Sequence, residues 1–379
     1  MFSGYVRQSK VSGMAVKTRF DITPQMADYY RISTVSQPFL MYTQEPNFRS
    51  ASFNTDGYGF RRTIMPSGNA IDIDDLAHEE CNILIGNSTA FGIGATGDDK
   101  TIASVLAGLT GMTWVNLAGR SFASTQEFIQ FMLLRHKFGT VRRVLIFSGL
   151  TNLTALDQGY RFAPDLGPFN FSRQMHRYMH DPYLTRFQRR LRALLYDNWG
   201  DTVRWRSITL SKVILSVFGN SRIAKIDFNG ALYKWINNVH DARSMLLPSL
   251  ERDIANWARF ARADKTELSY VLQATPLWST RKPSAEEQIL FSILDKKPAP
   301  EVLAGTRAME TYRWLRENLE RICRSNNVPF HDANEFVDKV PSSEWIWVDR
   351  VHMTDRGQQL VANWLNGTVL TQSAATLQP

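Results

Sequence analysis

An alternation of short apolar runs with amphipathic stretches between residues 81 and 148 limits the possible folds more than any other feature of this sequence. Cys81 to Gly86 (CNILIG) reads as a buried strand, bounded by acids before it and Gly-Asn-Ser after it. A helix is expected over about Asp99 to Leu109, with Asp98 or Asp99 as its N-cap. A short strand follows over Thr113–Leu117, then a helix over about Thr125–Lys137 with Phe128, Phe131, Met132 and Arg135 spaced for one face, then an apolar strand over Arg143–Ser148. Such an order demands parallel strands joined by right-handed crossovers, which predicts a flavodoxin-like, three-layer α/β/α sandwich. Further on, Leu268–Gln273 reads as a strand, Gly305–Asn326 as a long helix and Val328–His331 as a short strand. A last helix is expected to start at the N-cap Thr354, to bury Leu360, Val361, Trp364 and Leu365, and to stop near Gly367.

Interruptions of this pattern suggest the domain plan. Residues 1–80 are polar, aromatic and turn-rich, and read as an irregular arm wrapped on a core made of residues 81–154 and 263–379. Residues 155–262 read as a helical, aromatic-rich insertion forming a cap, and residues 279–300, bracketed by prolines, as a second insertion over the rim of the sheet. With 44% apolar and 21% charged residues in 379, the chain has ample material for a core and is neither disordered nor disulfide-stapled. The excess of 44 basic over 36 acidic residues is concentrated between Arg173 and Lys225, which hold eleven basic and three acidic residues. There, Leu184, Phe187, Leu191, Leu194 and Leu195 fall on one helical arc, with Arg186, Arg189, Arg190 and Arg192 outside it. The plainest reading is a helix packing its apolar side on the domain; an acidic glycan or an anionic membrane surface are the partners this charge would suit, and no nucleic-acid-binding motif accompanies it. Cys81 and Cys323 have no metal-ligand spacing and read as buried free thiols of a reducing compartment. The N-terminal residues lack a signal-peptide pattern, and no apolar run approaches the roughly 20 residues needed to cross a bilayer, so a soluble cytoplasmic protein is expected.

In open parallel sheets, chemistry collects at the carboxyl ends of the strands. Here the first strand runs into GNSTAFG, placing Ser88 just beyond its end; the second ends in NLAG, placing Gly119 in the loop; the third ends in SGLTNL, placing Thr151 and Asn152 there. Ahead of the last helix stands WVDRVHMTDRG, with Asp349 three residues before His352. A serine hydroxyl is a poor nucleophile near neutral pH and needs a neutral imidazole to take its proton. The imidazole in turn needs an acceptor that fixes its tautomer and stabilises its charged form, a role open to Asp349.

The order GNS…G…GLTN…D-x-x-H resembles that of the SGNH (GDSL-type) hydrolase superfamily over roughly residues 53 to 366, and GYGFR ahead of the first strand is similar to segments in members associated with bacterial cell-surface polysaccharides. The resemblance implies that Ser88 is a nucleophile, that Asp349 and His352 complete a triad, and that Gly119 donates to the oxyanion through its N–H. Two positions depart from the family pattern: Asn87 stands where an aspartate is usual, and an ungapped match of GLTN puts Thr151 at the oxyanion asparagine, whereas a slip of one residue restores Asn152. The implied activity is acyl transfer without a cofactor, to water in a carbohydrate esterase or deacetylase, or to a sugar hydroxyl in an O-acyltransferase. The substrate would be an acylated small molecule or carbohydrate. A carbohydrate-binding protein with a dismantled site is the third reading.

Other signals point to blander roles. Gly92-Ile-Gly94-Ala-Thr-Gly97 matches a dinucleotide fingerprint, but it starts well after its strand and the next strand lacks the terminal acid, so a flexible loop beside Ser88 is expected. His78-Glu79-Glu80 and His331-Asp332 lack the spacing of a metal site and read as surface charge.

Overall fold

The computed structural model describes residues 18–154, 162–163, 167–168, 239–295 and 308–371. The basic helix expected around Leu184 to Leu195, and most of the cap, lie outside these residues.

Five parallel strands form the central sheet: β1 (Cys81–Gly86), β2 (Trp114–Asn116), β3 (Val141–Ser148), β4 (Glu267–Leu272) and β5 (Phe330–Asp332), in the spatial order β5-β4-β3-β1-β2. In the arm, α1 (Arg19–Ile22) and α2 (Met26–Arg31) precede an antiparallel hairpin of Thr34–Gln37 with Met41–Gln44, so the part of the arm from residue 18 is more regular than its composition suggests. The helices of the core are α3 (Ser88–Phe91), α4 (Ile102–Thr110), α5 (Ser124–Leu134), α6 (Leu150–Thr154), α7 (Val239–Asp264), α8 (Ala285–Leu294), α9 (Met309–Ser325), α10 (Ala333–Val337) and α11 (Asp355–Trp364).

Side chains alternate across a strand, so each strand feeds two cores. Cys81, Ile83 and Ile85 of β1, with Val144 and Ile146 of β3, pack on Phe131 of α5, Leu250, Ile254 and Trp257 of α7, and Leu315 and Leu319 of α9. Leu84 of β1 and Leu145 and Phe147 of β3 face the other way, against Ile102 and Leu106 of α4, Val337 of α10 and Val361 of α11. Three layers result, as the alternation predicts. The chain leaves β1 toward the edge strand β2, then returns past β1 to β3, β4 and β5. The connections therefore reverse direction at β1 and β3, and the crevice opens where such sheets bind ligands.

Several boundaries differ from expectation, each for a local reason. Thr101, not Asp98 or Asp99, caps α4 by accepting from the Ser104 N–H, because the Asp98 carboxylate is taken by Arg61 Nε and by Asn54. In α5, Phe128 and Phe131 pack on Trp257, while Met132 is 46% exposed and Arg135 lies beyond the helix end, paired to Asp264. Thr354 caps α11 as expected, but helical winding continues past Gly367 to Leu370, driven by burial of Val369 and Leu370. Residues 279–295 carry α8, which braces the loop before α11. Cys81 and Cys323 are buried free thiols. Among the described residues no helix is long and apolar enough to cross a membrane.

Candidate active site

Ser88 opens α3 immediately beyond β1, with Asn87 as N-cap: its Oδ1 accepts from the Thr89 N–H at 3.0 Å. The Asn87 Nδ2 donates to Gln273 Oε1, and Gln273 Nε2 donates to Thr89 Oγ1 at 2.9 Å. Gln273 is held by its own backbone, its N–H on the Ser148 carbonyl and its C=O accepting from Asn334 Nδ2. The amide at position 87 thus meets an amide from the end of β4, and a carboxylate there would require Gln273 to turn end for end.

His352 and Asp349 sit at the tip of a small hairpin. Trp347 bridges Met353, the Val348 N–H donates to the His352 carbonyl, and the Thr354 N–H donates to the Ile346 carbonyl. Within the tip, Asp349 Oδ1 accepts from the N–H groups of Val351 and His352, both at 2.8 Å. That leaves Asp349 Oδ2 for His352 Nδ1 at 2.9 Å, while His352 Nε2 lies 2.9 Å from Ser88 Oγ. One carboxylate thus orients both the backbone and the ring, which is why a spacing of three residues suffices.

Gly92–Gly97 lets this hairpin approach Ser88. Gly94 has φ +99°, and a Cβ there would stand 2.3 Å from the Met353 carbonyl oxygen, so only glycine allows the two loops to touch. Contrary to the flexible loop expected, most of this segment is buried and tied down: Arg61, from GYGFR, donates to the carbonyls of Gly92 and Gly97, and Thr96 donates twice to Asp355. Carbonyls turned to a guanidinium are the reverse of a phosphate cradle, which calls for N–H groups.

Three supports were not apparent as such in the sequence. Arg19 of α1, 8% exposed, donates from Nη2 to Asp349 Oδ2 and to the Val348 carbonyl, both at 3.3 Å. Burial alone would raise the Asp349 carboxyl; the His352 charge and hydrogen bond, then Arg19, outweigh it and hold the group well below the usual carboxylate range. Glu287 of α8 is fully buried; its Oε1 accepts from Ile346 and Trp347 N–H, and its Oε2 from Arg281 Nη1 and the Ser284 N–H. Ser284-Ala-Glu-Glu287 is a capping-box pattern that marks this helix start, although the pattern alone does not reveal the further partners. Gln273 stands at the end of a strand, where the rule applied to the other strands would have found it.

The expected oxyanion donors have mixed placements. The Gly119 N–H donates to the Gly86 carbonyl at 3.0 Å, so this group ties the β2 loop to the chain just before Ser88. Asn152, fully buried in α6, accepts from the Ser124 N–H through Oδ1 at 2.8 Å, which orients its amide; Nδ2 has only a long contact of 3.4 Å to the Gly149 carbonyl. Gly149 adopts φ +132° under Leu272, which turns the chain from β3 into α6. Thr151 is buried on the same short helix. The Ser88 N–H lies in the first turn of α3, where N–H groups have no acceptor within their own helix. Among the described residues no three acidic, histidine or cysteine side chains converge as a metal site would require.

No family model and no curated protein matches the chain. Among solved structures, the chain is similar to an extracellular lipase from Streptomyces rimosus, with 10% identity, a TM-score of 0.40 and coverage of 76% of this chain and 99% of that one. It is also similar to a GDSL-like lipase from Bacteroides thetaiotaomicron (12% identity, TM-score 0.37, 77% and 88% covered) and to a lipase/acylhydrolase from Enterococcus faecalis (9% identity, TM-score 0.37, 76% and 96% covered).

Proposed function

We propose that the protein is a serine ester hydrolase that works through an acyl-Ser88 intermediate. The observation that carries this reading is the unbroken line of hydrogen bonds from Ser88 Oγ through His352 to Asp349, at 2.9 Å each. In this reading His352 keeps its proton on Nδ1, facing Asp349, and its Nε2 lone pair takes the Ser88 proton as Oγ attacks the acyl carbonyl. The tetrahedral intermediate collapses as His352 returns that proton to the departing alkoxide. Water then gives a proton to Nε2 as its oxygen attacks the acyl carbon, and the second tetrahedral intermediate collapses as Nε2 passes that water-derived proton to the departing Ser88 Oγ, releasing the acid. The Ser88 N–H and Asn152 Nδ2 are assigned to the oxyanion; the Gly119 N–H, being engaged, is assigned to fixing the Ser88 turn. By the GYGFR resemblance alone, the alcohol portion of the ester is assigned to a carbohydrate.

The test is intact mass after exposure to a fluorophosphonate, with the adduct mapped by peptide. A single adduct on Ser88, absent in Ser88→Ala and strongly slowed in His352→Ala, is expected. An unreactive protein, or an adduct on another residue, would refute the reading.

A further inference from the structure

Among the described residues, the arginines whose side chains are largely withdrawn from water have a carboxylate: Arg19 has Asp349, Arg61 has Asp98, Arg143 has Glu267 and Arg281 has Glu287. Arg120 does not. It follows Gly119 in the loop beyond β2, its Nη1 is shut off from solvent, and that nitrogen has no hydrogen-bond acceptor. Burial lowers its pKa, and among the described residues the side chains whose field reaches it are the phenols of Tyr42, Tyr29 and Tyr30, with no carboxylate among them.

Hydrogen bonds place these phenols around the Arg120 loop: the Tyr42 hydroxyl lies within hydrogen-bond distance of the carbonyls of Arg120 and Ser121. The Tyr29 hydroxyl lies within hydrogen-bond distance of the carbonyls of Gly92 and Ala95, in the turn that follows Ser88 and α3. The Tyr30 hydroxyl accepts from Arg19 Nη1, beside Asp349. The residue before Arg120 is bonded to Gly86, two positions ahead of Ser88. The unpaired nitrogen therefore belongs to a loop that the arm touches through Tyr42 and that is tied to the strand end carrying Ser88. A half-buried guanidinium with one nitrogen shut off from water and unpartnered is costly, and an incoming anion that supplied the missing acceptor would offset that cost.

Building on the esterase reading, we propose that Arg120 anchors an anionic group, a carboxylate or a phosphate, carried by the ester substrate close to its scissile bond. The planar fork of donors suits either anion and would orient the ester as well as attract it.

Calorimetric titration of the wild type and Arg120→Gln with benzoate and with inorganic phosphate tests the site without requiring turnover. The wild type is expected to bind at least one of the two and Arg120→Gln to lose that binding; whichever binds names the anion. Arg120→Lys, which keeps the charge but not the fork, should bind more weakly than wild type, and this comparison stands if the glutamine variant does not fold. For turnover, the ratio of kcat/KM for 4-acetoxybenzoate to that for 4-nitrophenyl acetate should fall about tenfold or more in Arg120→Gln, the loss expected for one charge-assisted pair. A wild type that binds neither anion, binding unchanged in the variants, or equal loss on both esters would each overturn the proposal. Absence of fluorophosphonate labelling and of turnover, with anion binding intact and dependent on Arg120, would instead sink the esterase reading and leave the anion site standing.

Discussion

At the scale of single residues, Asp349 carries a heavy electrostatic load: two backbone N–H groups, an imidazole and a guanidinium converge on it. Because its folded pKa is depressed, its contribution to stability is present above the ordinary carboxylate range and is lost as pH falls below it. Removing Arg19 takes away one of the groups that hold the carboxylate charged. Arg19→Ala is therefore expected to lower stability at neutral pH by about 1–3 kcal/mol and to move acid unfolding to higher pH, read by circular dichroism across a pH series. Asn152 is the other informative residue. With Oδ1 fixed by Ser124, its Nδ2 points where that bond directs it, and Asn152→Ala should cost about 100- to 1,000-fold in kcat with a much smaller change in KM. Steady-state kinetics on 4-nitrophenyl acetate would decide; an unchanged kcat removes Asn152 from the oxyanion site and leaves Thr151 to be tried.

At the scale of elements, α8 acts on the site from a distance. Its Glu287 holds the start of the hairpin that carries Asp349 and His352 and is itself neutralised by Arg281, in a pair with 3% and 0% side-chain exposure. Truncating one member of such a pair leaves the other charge buried and alone. Glu287→Ala is expected to destabilise by about 3–5 kcal/mol in urea unfolding and to lower kcat, since two N–H groups of the hairpin lose their shared acceptor. Thr354→Ala removes the cap of α11 and the hydrogen bond from its hydroxyl to the Trp345 carbonyl, and should cost about 1–2 kcal/mol, with activity largely kept. The contrast separates support of the site from support of the helix behind it.

At the scale of the whole molecule, an acid buried beneath the sheet sets the response to alkali. Glu127 of α5 accepts from Ser148 Oγ at 2.6 Å through one oxygen, and its other oxygen is buried without a partner. Burial pushes its carboxyl up to about 8, with the Ser148 hydrogen bond opposing and Asp253 adding to the rise. A raised carboxyl means that the folded state holds a proton the unfolded chain has released. Stability is therefore fullest below the ordinary glutamate range and is lost as pH rises toward about 8. The slope from this one group approaches about 1.4 kcal/mol per pH unit inside that window. Urea unfolding at a series of pH values should show this decline in the wild type and a flatter profile in Glu127→Gln.

The near-continuous apolar runs CNILIG and RVLIFS, with helical stretches between, sufficed to specify a parallel sheet covered on both faces, because each such strand must bury both sides. The same local order put Ser88, Gly119, Thr151 and Asn152 at strand ends, and D-x-x-H could be read as one unit since a single turn serves both its groups. Only tertiary structure decided how those pieces meet. That the hairpin tip comes within 2.9 Å of Ser88 depends on Gly94 yielding space to Met353, and the Gly119 N–H is engaged because Gly86 lies across from it. Arg19, Gln273 and Glu287 reach the site from remote segments, so no window of sequence holds both a support and what it supports. Periodicity is a property of neighbours along the chain; a hydrogen bond spanning 264 residues is a property of packing.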